Sequence, residues 1–145
     1  KAYGLAGFRV GWGYFPADVA REVRKVMNPN NLSAGSQAAA ISAVHDHDYM
    51  RQTCDLTAAA RENARATLHD AGFRCLPSFT NFVLIDLVTE QAAASANAAL
   101  NAEGIFLRGQ ASVGLPQMLR MTIGPTPDMA AAIDTLRQWK SETDT

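Results

Sequence analysis

Lysine is scarce in these 145 residues: it stands only at positions 1, 25 and 140. Basic residues as a whole are in no excess, since 13 lysines and arginines meet 14 acids and leave a formal charge of −1. A nucleic-acid partner needs a basic face, so none is expected. No apolar run approaches the roughly 20 residues of a membrane span, although 48% of the chain is hydrophobic, much of it alanine. No stretch reads as a secretory signal. Cysteine is nearly absent; Cys54 and Cys75 are isolated and read as small buried hydrophobes in a reducing compartment, so the expected location is cytoplasmic. Internal repeats and low-complexity linkers are lacking too. One domain's worth of chain with a real core remains.

What is present is concentrated at the start, in Lys1-Ala2-Tyr3-Gly4-Leu5-Ala6-Gly7-Phe8-Arg9-Val10-Gly11. Phe8 to Phe15 alternates large residues with glycine and reads as a buried strand ending at Pro16. A cation in a buried strand needs an anion, because an unpaired charge in low dielectric is costly. Small residues beside Lys1 and Arg9 therefore point to a phosphorylated cofactor that the backbone approaches closely.

This stretch resembles the cofactor-lysine segment of fold-type I pyridoxal-phosphate enzymes, specifically the class I/II aminotransferases, whose segment has the form Lys-Ala-aromatic-x-Leu-Ala-Gly-x-Arg-x-Gly. The resemblance implies that Lys1 forms the Schiff base with pyridoxal 5'-phosphate and that Arg9 binds the cofactor phosphate. The family carries a Ser or Thr shortly before the lysine, whereas this sequence opens on Lys1 without an initiator Met. The expectation is the C-terminal part of a longer chain, whose upstream part holds most of the large cofactor domain.

Asp18 to Met27 reads as an amphipathic helix, and Asn28-Pro29-Asn30-Asn31 as a turn. Ser33 is a candidate N-cap for a helix through Val44. Pro29, Asn31, Ser33 and Gln37 fit a family pattern that lies near the neighbouring subunit's active site, which implies a homodimer. His45-Asp46-His47-Asp48 has the wrong spacing for a metal site, since residues two apart on a helix face different ways. It reads as a solvated turn, with Asp48 available to cap the next helix. Tyr49 to Ala71 reads as that helix, one long element closed by Gly72 and of a length able to bridge two domains.

Phe73 to Pro77 and Asn81 to Val88 read as strands, Thr89 to Glu103 as a helix capped by Thr89, and Ile105 to Leu107 as a short buried strand ending at Arg108. A loop with Gly109, Gly114 and Pro116 then leads to a strand at Leu119–Gly124, and Thr126-Pro127 starts the last helix. The fold class is α/β. Residues 1–47 are expected to close the large cofactor-binding domain, and residues 48–145 to form a connecting helix and a small domain with a short mixed or antiparallel sheet under helices.

Arg108 and Arg120 sit in short apolar strands joined by turn chemistry. Brought to one sheet edge they make an anion clamp, because the guanidinium fork matches carboxylate or phosphate. This region is similar to the histidinol-phosphate aminotransferase branch, which implies that Arg120 binds the substrate's acidic group and that Arg108 helps with a second anion. Asn81 lies where the family keeps an asparagine near the substrate pocket; alone, it reads equally as a strand-end residue closing a turn. The implied activity moves an amino group from histidinol phosphate or an amino acid to a 2-oxo acid. Lys1 would carry the proton as a partly neutral amine. A decarboxylase on the same scaffold, an aminotransferase-like ligand-sensing domain of a transcription regulator, and a plain structural domain are the alternatives.

Overall fold

The computed structural model of the chain describes residues 1–143. It divides into two compact units, Lys1–Cys54 and Asp55–Thr145.

In the first unit, residues 1–9 coil through successive turns. The Gly4 N–H donates to the Lys1 carbonyl at 3.0 Å, Phe8 to Leu5 at 3.1 Å and Arg9 to Ala6 at 3.4 Å. The strand expected over Phe8–Phe15 is not formed, and Trp12 and Tyr14 are 86% and 92% exposed. A strand needs a neighbour for its backbone hydrogen bonds, and all four strands of the described residues lie in the other unit. Helix α1 (Ala17–Val26) comes next, with Asp18 in its first turn and Arg24 and Lys25 in its last, each favoured by the helix dipole. Helix α2 (Ala34–His45) has Ser33 as its N-cap, the side chain accepting from the Ser36 N–H. Helix α3 (His47–Asp70) supplies residues to both units and is about 36 Å long at the usual rise. Its cap is Asp46, whose Oδ1 accepts from the Tyr49 N–H at 3.0 Å. Asp48, the expected cap, lies too far into the helix and pairs with Arg51 at 3.0 Å.

In the second unit α3 ends at Gly72, whose φ of +76° suits glycine and lets the Phe73 N–H reach the Leu68 carbonyl at 2.9 Å. Then come β1 (Arg74–Cys75), β2 (Phe82–Asp86), α4 (Glu90–Ala102), β3 (Arg108–Gln110), β4 (Leu115–Thr122) and α5 (Thr126–Thr143). The strands form one antiparallel sheet in the order β1-β2-β4-β3. Val83, Ile85, Leu119 and Met121 of β2 and β4 join Leu68 of α3, Leu100 of α4 and Leu136 of α5 in one core. Each fully buried leucine contributes about 2 kcal/mol by area. Thr89 caps α4 by accepting from the Ala92 N–H at 3.1 Å.

The strand expected at Ile105–Leu107 instead starts at Arg108, and Phe106 is exposed. The Ile105 N–H closes the end of α4 on the Leu100 carbonyl at 2.9 Å, so it cannot join a ladder. Gly109 and Pro116, expected in the loop, lie within β3 and β4, and the connection shrinks to a 3-10 turn at Ala111–Val113 and Gly114.

Candidate active site

Lys1 and Arg9 line one cleft of about 510 Å³ in the first unit. The turns of residues 1–9 bring one edge of it together, and α2 supplies another wall through Ala40, Ala43 and Val44. Ala6 and Gly11 also line it, beside the bulkier Tyr3, Leu5, Val10 and Trp12. Arg9 is exposed rather than buried in a strand, and its φ of +53° is unusual for a non-glycine residue. One guanidinium nitrogen, Nη1, donates to the Ala6 carbonyl at 3.2 Å, which leaves most of the five N–H donors for another acceptor. The volume falls in the usual range for small-molecule sites, roughly 300–1,000 Å³. An amine that can form an imine and a guanidinium that can bind a phosphate, both facing one cleft, fit a phosphorylated aldehyde cofactor.

Arg108 and Arg120 line a second cleft of about 360 Å³ in the second unit. They are direct partners in the β3–β4 ladder, so both project from one face of the sheet. The Arg120 guanidinium lies over the Phe82 ring, 5.2 Å from its centre, and its Nε is buried with no hydrogen-bond partner. Among the described residues neither arginine forms an ion pair. A buried donor without a partner is rare in folded proteins, and two like charges placed opposite each other repel. A bound anion at the two guanidinium groups would offset the repulsion. Asn81 does not line this cleft; it precedes β2, and its carbonyl accepts from the Ile123 N–H at 2.9 Å.

Three residues escaped the sequence reading. Asp128, in the first turn of α5, lines the second cleft; as an acid near a helix start it carried no other signal. Gln110 is buried, its Nε2 donating to the Arg108 and Gly109 carbonyls at 3.0 Å each, which braces the strand that carries Arg108. Ser36 is buried against the Phe8 carbonyl, a contact between distant positions that no local pattern reveals. The shifted titrations lie elsewhere. The hydrogen bond from Arg61 holds the Glu62 carboxyl below its usual range, and burial pushes the Cys75 thiol up to about 11.

The chain belongs to the aminotransferase class I and II family, whose model matches residues 1–136. It is 37% identical over 140 residues to a histidinol-phosphate aminotransferase of Roseobacter denitrificans, covering 97% of this chain and 39% of that protein. It is similar to the crystal structure of histidinol-phosphate aminotransferase from Sinorhizobium meliloti in complex with pyridoxal-5'-phosphate, with a TM-score of 0.86 and 30% identity over 99% of this chain and 39% of the other. The N-succinyldiaminopimelate aminotransferase of Mycobacterium tuberculosis shares the fold, with a TM-score of 0.78 at 20% identity over 96% of this chain and 40% of the other. The chain thus spans about two fifths of the length of these relatives.

Proposed function

We propose that the chain is the C-terminal portion of a pyridoxal 5'-phosphate-dependent aminotransferase that moves an amino group from histidinol phosphate or another amino donor to a 2-oxo acid. The supporting observation is that Lys1 and Arg9 share one cleft, in a family member whose similar proteins include histidinol-phosphate aminotransferases. Bound pyridoxal phosphate supplies an electron sink for charge that develops at the substrate α-carbon. Lys1 Nζ would hold the cofactor through its aldehyde and, as a neutral amine, would carry the proton between the substrate α-carbon and the cofactor carbon. Arg9 anchors the phosphate through its free N–H groups. Arg120 receives the substrate's acidic group, with Arg108 beside it for a second negative charge; Asn81 is kept as a more peripheral substrate contact.

Residues 1–47 then close the large cofactor domain, and residues 48–145 form the connecting helix and small domain. The working enzyme is a cytoplasmic homodimer. Among the described residues no helix is long and apolar enough to cross a membrane. The test uses the full-length protein: Lys1→Ala abolishes the absorption of lysine-bound cofactor and complete turnover. Transamination at the wild-type rate in that variant would remove Lys1 from the chemistry.

A further inference from the structure

We propose that Ser36 is a positioning residue for Arg9, acting through the peptide that joins Phe8 to Arg9. Ser36 is the one buried residue of α2 among the described residues. Its hydroxyl donates to the Phe8 carbonyl at 2.7 Å. The Ser33 hydroxyl in turn donates to Ser36 Oγ at 3.0 Å, and the Ser36 N–H donates back to Ser33 Oγ at 3.1 Å. The helix cap and the arginine turn are therefore linked by a relay of two hydroxyls, in which each proton has one acceptor.

The Phe8 carbonyl and the Arg9 nitrogen belong to one planar peptide unit, so fixing the carbonyl fixes the plane from which Arg9 departs. At the other end of that plane the Arg9 N–H makes only a long contact, 3.4 Å to the Ala6 carbonyl. The short bond from Ser36 is the stronger restraint. It matters because Arg9 holds a φ of +53°, a conformation that a non-glycine residue keeps only when its surroundings impose it. Released from Ser36, the peptide can rotate and Arg9 can return to negative φ, which turns its Cβ and guanidinium away from their direction into the cleft. Ser36 itself is not among the residues lining that cleft. Its effect on a ligand must therefore pass through Arg9.

The inference rests on the assignment of the cofactor phosphate to Arg9. Its test compares binding of pyridoxal phosphate and of pyridoxal, which lacks the phosphate, to the full-length protein by absorbance titration. Ser36→Ala is expected to weaken pyridoxal phosphate about three- to tenfold, the share of one neutral hydrogen bond, and to leave pyridoxal unchanged. Ser36→Thr keeps the hydroxyl and is expected to keep the affinity. In an Arg9→Ala background, Ser36→Ala should add nothing. Should Ser36→Ala fail to fold, Ser36→Cys, close in size with a feebler donor, makes the same comparison. Unchanged phosphate-dependent affinity, equal losses for both ligands, or additive losses in the double variant overturn the relay. If Arg9→Ala itself binds pyridoxal phosphate as the wild type does, the assignment of Arg9 fails and the relay with it. If Arg9→Ala weakens binding and Ser36→Ala does not, only the relay fails.

Discussion

Arg120→Met isolates what the guanidinium does, because methionine keeps an apolar stem and removes charge and donors together. Two opposing terms act on the unliganded protein. Arg108 lies directly opposite Arg120 in the ladder and is exposed. Like charges on directly opposed ladder residues destabilise by roughly 0.2–1 kcal/mol, which the substitution relieves. The substitution also removes the interaction with the Phe82 ring, about 0.5–1 kcal/mol at a partly exposed site. Unliganded stability should therefore move by less than about 1 kcal/mol in urea unfolding. Binding of an acidic substrate loses a charge-assisted hydrogen bond, about 1.5–3 kcal/mol, or roughly 10- to 150-fold in KM. Arg120→Lys keeps the charge without the fork and should fall between. The assay is steady-state kinetics of the full-length protein with an acidic 2-oxo acceptor. An unchanged KM would refute the assignment of Arg120 to the substrate. A loss of stability above about 3 kcal/mol would show instead that the guanidinium is a structural element whose buried Nε matters to folding.

Two further outcomes can be checked on the same protein. Val88 is exposed at φ +73°, held there by the Asp86 carboxylate accepting from its N–H at 2.9 Å, while Arg74 pairs with the same carboxylate. A β-branched residue at positive φ is strained by about 1–3 kcal/mol, so Val88→Gly should stabilise by about 1 kcal/mol in urea unfolding after the entropy cost of glycine; a lower midpoint would refute the strain. The half-buried Cys75 thiol is raised to about 11 while Cys54 is exposed, so maleimide at neutral pH should modify Cys54 first in peptide mapping. Because the native state raises this pKa above its unfolded value of 9.0, the contribution of Cys75 to stability is complete below pH 9. It fades as pH rises through about 11. Cys75→Ala should lack that alkaline component, and an identical alkaline profile would contradict the burial.

The parts of this fold that are readable from the chain share one property: their determinants are local. Ser33 and Thr89 cap helices three positions ahead of the N–H groups they accept from, and Gly72 ends α3 within one turn. The apolar run at Phe82–Ile85 marks β2 as a strand for the same reason, although which face is buried, that of Val83 and Ile85, shows only in the fold. Phe8–Phe15 failed because strand-forming composition states a preference, while a strand exists only with a partner, and the described residues of its unit provide none. Ile105–Leu107 failed for a subtler reason. Its composition suited a buried strand, but its first N–H was already committed to the end of α4 and Phe106 lies exposed.

The site divides along the same line. Lys1 and Arg9 stand eight positions apart, and turn chemistry between them brings both to one cleft, so a linear stretch sufficed to see them as neighbours. Arg108 and Arg120 were legible as a pair because a short connection between strands forces antiparallel pairing. Asn81 was placed by analogy of position alone, and what the fold adds is a backbone contact, its carbonyl accepting from the Ile123 N–H. Ser36 had no signature of its own: a serine in the first turn of a helix is ordinary, and only the fold brings the Phe8 carbonyl, 28 positions away, onto its hydroxyl. Residues that would touch a ligand were thus visible from their neighbours in the chain, while residues that hold those in place became visible only once distant segments met.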